Sequence, residues 1–205
     1  MTIHRDNPTT RTVLDLVAAK GVLRPADLQG LGIARTVLQR LEQQGRLTKL
    51  GRGLYAVAGA DLGESATLAA ASRRVPGGVI CLLSALRFHE MTTENPSEIW
   101  LAIDRKARRP LIAGIPLRIV RFSAALLREG TELHVIDGVD VRVTNPARTV
   151  ADCFKYRSKI GIDVALAALQ CYVRDRKGTA DDLGREAVKC RVAIVMRPYL
   201  EAVSR

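Results

Sequence analysis

The 205-residue chain is poor in aromatic side chains, short of acids relative to bases, and without a long apolar run. Its eight aromatics (one Trp, four Tyr, three Phe) are few for a platform that stacks splayed single-stranded bases, and no RNP-like aromatic run occurs. The apolar stretch Val79–Leu83, among the longest, falls far short of the ~18 residues of a membrane span. Residues 1–6 lack the apolar segment of a secretory signal. The expectation is a cytoplasmic, globular protein with no membrane partner.

Cysteine is also scarce. Cys81, Cys153, Cys171 and Cys190 contain no C-x-x-C pair, and only three histidines accompany them. That spacing argues against a zinc site and suits small buried apolar residues in a reducing compartment. No metal or other cofactor is expected. P-loop, G-x-S-x-G and H-E-x-x-H motifs are absent from the sequence, and the chain is expected not to be an enzyme.

What the chain does have is positive charge. Lys and Arg number 32 against 21 Asp and Glu, for a net +11. With 47% hydrophobic residues the chain is no disordered basic tail. Duplex DNA, gripped by its phosphates, is the first partner this balance suggests. The excess is uneven: residues 1–59 carry a net +5, and the other 146 residues carry +6. A small and polar stretch, Ala58-Gly59-Ala60-Asp61-Leu62-Gly63-Glu64-Ser65, sits where a linker would.

Punctuation divides the front segment into five elements. Thr9 or Thr10 can cap a helix with Val13, Leu14, Leu16 and Val17 inward and Gly21 after it. Pro25 opens a short helix with Leu28 and Leu31 inward, stopped by Gly32. A third helix runs from about Ala34 to Gln44 over Val37, Leu38 and Leu41. Strands at Leu47–Leu50 and Leu54–Val57 flank a Gly51-Arg52-Gly53 turn. This is the order of a winged helix-turn-helix.

The remainder is mixed. Segments 65–74 and 80–91 read as helices, and 99–103 and 117–122 as strands. Strands 133–136 and 139–143 flank Asp137-Gly138, a strong hairpin signal. Asn145 and Pro146 open another helix, and helical segments follow near 161–174, 179–190 and 193–203. The fold class expected is α+β, with a winged helix-turn-helix at 1–59 and a mixed α+β domain at 60–205.

The third helix carries the chemistry. If Val37, Leu38 and Leu41 face inward, then Arg35, Thr36, Gln39, Arg40 and Gln43 face outward. Arg can donate bidentately to guanine, Gln can pair with adenine, and Thr can meet a thymine methyl or a phosphate. An ordinary solvated helix offers the same composition; the wing behind it favours DNA. Arg46, Lys49 and Arg52 extend the set, Arg52 between two glycines having an open approach to phosphate. Arg11 and Arg24 are weaker candidates.

These same residues carry a resemblance. Gly32-Ile33-Ala34-Arg35-Thr36-Val37-Leu38-Gln39-Arg40-Leu41, then Gly45-Arg46-Leu47, then Leu50-Gly51-Arg52-Gly53-Leu54-Tyr55 resemble the winged helix of AbiEi-family antitoxins of bacterial type IV toxin–antitoxin systems. Leu83-Ser84-Ala85-Leu86-Arg87-Phe88-His89 and Asn145-Pro146-Ala147-Arg148-Thr149-Val150-Ala151-Asp152 are similar to the family's C-terminal domain. A polar residue often starts that family's recognition helix, and Ala34 stands there in this chain. The resemblance implies a winged helix that binds inverted repeats in its own promoter, and a C-terminal domain that counters a co-encoded nucleotidyltransferase-like toxin, whether through a stable complex, a transient one or none. A free-standing winged-helix regulator with an oligomerising or ligand-sensing C-terminal domain is the first alternative, and a metal-dependent nuclease the second.

Four further features carry two readings each. Arg105, Lys106, Arg108 and Arg109 put four charges into five residues after a strand. They form either a solvated loop or a contact for toxin or phosphate. Asp104-Arg105-Lys106 matches the D-x-K end of a metal-dependent nuclease motif, but the upstream Pro-Asp element is missing. His89-Glu90 suggests acid–base work or a helix-end histidine. Arg148 and Asp152 are functional candidates or a simple i,i+4 pair.

Overall fold

The computed structural model describes residues 7–51, 53–59, 63–110, 112 and 115–203. The first helix, α1 (Pro8–Lys20), begins one residue before the expected threonines. Asn7 caps it, its side-chain oxygen accepting from the Thr9 N–H at 3.2 Å, and Pro8 takes the first helical position, where its missing N–H costs nothing. Thr10 is thereby freed, and it lies buried.

A 3₁₀ turn (Pro25–Leu31) and α2 (Thr36–Gln43) follow, then strands β1 (Leu47–Gly51) and β2 (Leu54–Val57), paired antiparallel. Leu23 adds a one-residue bridge to Tyr55, with both backbone bonds formed at 2.8 and 3.0 Å. Val13, Val17, Leu23, Leu28, Leu38, Leu41, Leu47 and Tyr55 make this unit's core. Leu31, expected inside, is half-exposed: it is the last residue of the 3₁₀ turn, and Gly32 at φ 66° swings the chain away.

Helix α3 (Glu64–Arg74) is packed from two sides. Ala66, Leu68, Ala69, Ala70 and Ala71 share one apolar cluster with Val22, Leu50, Leu54 and Ala56 of the front unit, and with Leu101, Ile103, Val141 and Val143 of the sheet. Alanine at those positions keeps the helix narrow enough to fit between them.

The sheet holds β3 (Val79–Ile80), β4 (Ile99–Asp104), β5 (Leu117–Phe122), β6 (Thr131–Ile136) and β7 (Val139–Thr144) in the order β5-β4-β3-β7-β6. β4 runs parallel to β5 and β3 parallel to β7, while β3–β4 and β6–β7 are antiparallel. Ile99, Leu101 and Ile103 face the α3 side; Trp100 and Ala102 face the opposite layer. Both faces of β4 are therefore buried, which explains its unbroken apolar run. The β6–β7 turn has Asp137 at φ 50° and Gly138 at φ 67°, the pair of left-handed residues a type I′ hairpin needs.

The opposite layer contains α4 (Leu82–Phe88), α5 (Ala124–Arg128), α6 (Pro146–Lys155), α7 (Arg157–Ile160), α8 (Ile162–Arg174), α9 (Ala180–Lys189) and α10 (Ala193–Val203). One expected element divides: 80–91 is not a single helix but β3, a sharp bend at Leu82 (φ 49°), and α4. A short buried apolar run suits either a strand or a helix, and its pairing with Leu101–Ala102 decides for strand. The α+β class stands as read from the sequence. Among the described residues no helix is long and apolar enough to cross a membrane.

Candidate nucleic-acid interface

The rotation of α2 is set by its apolar residues. Leu38 and Leu41 are fully buried and Val37 is partly so. Arg35, Thr36, Gln39, Arg40 and Gln43 are all exposed on the other side. No side chain caps the helix start: Arg35 occupies the N-cap position in helical conformation. The Val37 and Leu38 N–H groups of the first turn instead bond the carbonyls of Ala34 and Arg35, both at 3.1 Å, so phosphate contact at this end falls to the Arg35 and Thr36 side chains.

Not every outward residue is free. The Arg40 guanidinium donates from Nη2 to Thr10 Oγ1 at 3.2 Å, which lays it back against α1. On the hairpin, Lys49 is exposed, with its ammonium 5.9 Å from the Tyr55 ring centroid. Arg46 is half-buried at the hairpin's base. Arg52, expected at the wing tip, lies outside the described residues, though Gly53 beside it takes φ 67°. Arg24 is engaged elsewhere: its backbone N–H and its guanidinium both donate to Asp27, at 2.7 Å and 3.5 Å. Burial works against the Asp27 charge, but the bonds from Arg24 and Lys20 outweigh it and hold the carboxyl below its usual range.

Arg105, Lys106, Arg108 and Arg109 are exposed in the turn after β4. Arg121 on neighbouring β5 holds that turn, its Nη1 donating to the carbonyls of Asp104 (2.9 Å), Arg105 (3.4 Å) and Ala107. Asp104 Oδ1 accepts the Lys106 N–H at 2.8 Å, so the D-x-K acid is part of a local turn. Among the described residues no three His, Cys, Asp or Glu side chains group as metal ligands would.

The Asn145–Asp152 segment forms a fully buried ion pair. Asn145 caps α6 through the Arg148 N–H (2.8 Å), and Arg148 Nε meets Asp152 Oδ2 at 2.9 Å with neither side chain exposed. Arg148 Nη1 donates to the carbonyls of Glu129 (3.2 Å) and Leu126 (3.5 Å), and its guanidinium carbon lies 5.2 Å from the Phe122 ring centroid. Burial opposes the Arg148 charge, yet the Asp152 carboxylate holds its pKa above the ordinary value. Cys190 Sγ donates to Asp152 Oδ1 at 3.4 Å, and burial with that nearby charge pushes its thiol up to about 12. All four cysteines are free and buried.

His89 ends α4, and its Nε2–H donates to the Thr144 carbonyl at 2.7 Å. Burial lowers its pKa.

The sequence did not reveal one other constellation. A cleft of about 800 Å³ is lined by Arg105, Lys155, Arg157, Lys189 and Arg191, with Glu129 its only acid among the described residues. Lys155 and Lys189 sit in the last turns of α6 and α9. In the sequence they pass for ordinary partners of the helix dipole, and nothing in their spacing joins them to Arg105.

Three short helical segments closed by a two-stranded hairpin, with a basic and amide-bearing helix face outward, define the winged helix-turn-helix class. Residues 11–58 match the family model described as a transcriptional regulator, AbiEi antitoxin. No curated protein matches the chain. Among solved structures, the RV2827C protein from Mycobacterium tuberculosis is similar at 14% identity and a TM-score of 0.44, over 90% of this chain and 83% of that one.

Proposed function

We propose that the chain binds operator DNA through α2 and its hairpin, autorepressing its operon, and counters a co-encoded nucleotidyltransferase-like toxin of a type IV system through residues 60–205. The observation that carries the DNA reading is the exposed face of α2, where Arg35, Thr36, Gln39 and Gln43 stand together over a buried Leu38–Leu41 ridge. The antitoxin reading rests on the family match at 11–58.

In this reading Arg35, Thr36, Gln39 and Gln43 enter the major groove, Arg40 joins them by exchanging its Thr10 bond for the DNA, and Arg46, Lys49 and Arg52 hold phosphates. Arg105, Lys106, Arg108 and Arg109 meet either operator phosphates or an acidic toxin surface. Neutralising all four leaves operator affinity and toxin protection unchanged if that assignment is wrong.

The division of labour between 1–59 and 60–205 is tested in the full chain. The double variant Arg35→Ala/Gln39→Ala should lose repression of an operator–reporter fusion yet still rescue growth on co-expression of the neighbouring toxin. Loss of both together would break the division. Loss of neither would remove α2 from DNA reading. The free-standing regulator predicts instead that wild-type chain gives no rescue.

A further inference from the structure

The basic cleft in the opposite layer shares no residue with α2, and its cations come from four separate parts of the chain. Arg105 comes from the turn after β4, Lys155 from the end of α6, Arg157 from α7, and Lys189 and Arg191 from the end of α9 and beyond. Lys189 is partly neutralised, lying 2.9 Å from Glu186 Oε1 and 3.8 Å from Glu129 Oε2. Arg105, Lys155, Arg157 and Arg191 make no ion pair among the described residues. Arg157 donates from Nη1 to the Phe154 carbonyl at 2.8 Å, and Glu129 is an acid on the wall, but the cations around this concavity outnumber that acid, and an anion between them relieves their repulsion.

The cleft is also held in shape from behind. The buried Arg148 guanidinium bonds the carbonyls of Leu126 and Glu129, and Asp152 accepts from Cys190; Leu126, Glu129 and Cys190 all line the wall. Arg121 braces the turn that carries Arg105. Arg191 itself sits at φ 61°, a left-handed conformation a non-glycine residue seldom adopts. The cations thus stand on packed elements rather than on a loose tail, the condition for a preorganised site.

The rest of the wall fixes the class of ligand. Ala125, Leu126, Val192 and Val195 give it an apolar side, and Ser123 supplies a hydroxyl. A volume near 800 Å³ lies within the ~300–1,000 Å³ of small-molecule sites. A duplex backbone offers phosphate and sugar, and would leave that apolar side without a partner.

We propose that this cleft binds a nucleotide, its phosphates held by Arg105, Lys155, Arg157 and Arg191 and its base against the Val192–Val195 side. The site shares no residue with α2, and it shares Arg105 with the basic turn given a phosphate or toxin contact above.

The test is calorimetric titration of the full chain with ATP and GTP, with adenosine and a scrambled duplex as controls. At least one nucleotide should bind, and adenosine should not. Arg157→Ala/Arg191→Ala replaces two exposed side chains and should weaken nucleotide binding at least about tenfold; circular dichroism confirms that it folds. Arg35→Ala should leave nucleotide binding unchanged. Absence of nucleotide binding at millimolar concentration, or equal binding by the double variant, overturns the proposal. So does displacement of the nucleotide by scrambled duplex with loss of both in the same variant, which would make the cleft a nucleic-acid surface.

Discussion

Arg148 and Asp152 show how a suggestive motif resolves at the scale of single residues. Read along the chain, they are two charges four apart after an Asn-Pro helix start. In the fold they are a pair with no solvent contact, tied to the carbonyls at the end of α5. Removing one partner leaves the other charged and buried. Asp152→Ala should cost about 3–5 kcal/mol of stability, read by urea denaturation; a loss under 1 kcal/mol would mean that the guanidinium finds water. His89 gives a pH signature. Its pKa is lowered on folding because burial favours the neutral ring, so the unfolded chain binds the proton more readily. Stability is therefore complete above the ordinary value of 6.5 and falls as pH drops through it towards the lower folded value. Melting temperature should fall in that window, and His89→Gln, whose amide can still donate to Thr144, should flatten the fall. An unchanged slope would assign the effect to other groups.

At the scale of elements, the hairpin turns and helix starts were the most legible parts. Asp137-Gly138 predicted its turn because few other pairs accept two positive φ angles, and Asn145-Pro146 predicted the start of α6 by cap chemistry. Gly138→Ala would place a Cβ against the Arg24 guanidinium in a conformation alanine disfavours. About 1–2 kcal/mol should be lost, measurable as a lower denaturation midpoint; Gly138→Asn, which tolerates that conformation better, should lose less. The missed elements were those whose pattern is ambiguous or very short. Val79–Ile80 reads equally as strand or helix until its neighbour strand is known, and α5 and α7 span only five and four residues. The α2 face was legible because a buried Leu38–Leu41 ridge leaves only one set of residues to face outward. Arg40 departs from that logic, since its length lets it fold back to Thr10.

For the whole molecule, charge and packing divide differently. Operator binding through the N-terminal cations should show a steep linear fall of log affinity with log salt, and Lys49→Ala should flatten that slope by about one unit. A slope near zero in the wild type would exclude phosphate contacts as the basis of binding. Packing joins what charge separates: Leu50, Leu54 and Ala56 of the hairpin share an apolar cluster with α3 and the sheet. A single cooperative heat transition is expected for the full chain, and two resolved calorimetric peaks would show that this shared cluster does little to couple the halves.

The sequence alone determined the features that depend on neighbours in the chain: the winged-helix order, the outward face of α2, the Asp-Gly turn, the Asn-Pro cap and the basic front segment. Periodicity, capping and turn chemistry act over a few residues, so they can be read without knowing the fold. Only the tertiary structure decided that Arg24 and Arg40 are bonded to their own protein, that Arg148–Asp152 is buried, and that Arg105 joins Lys155, Arg157, Lys189 and Arg191 around one cleft. Those outcomes depend on residues up to 86 positions apart, brought together by sheet order and helix packing, which no local pattern encodes.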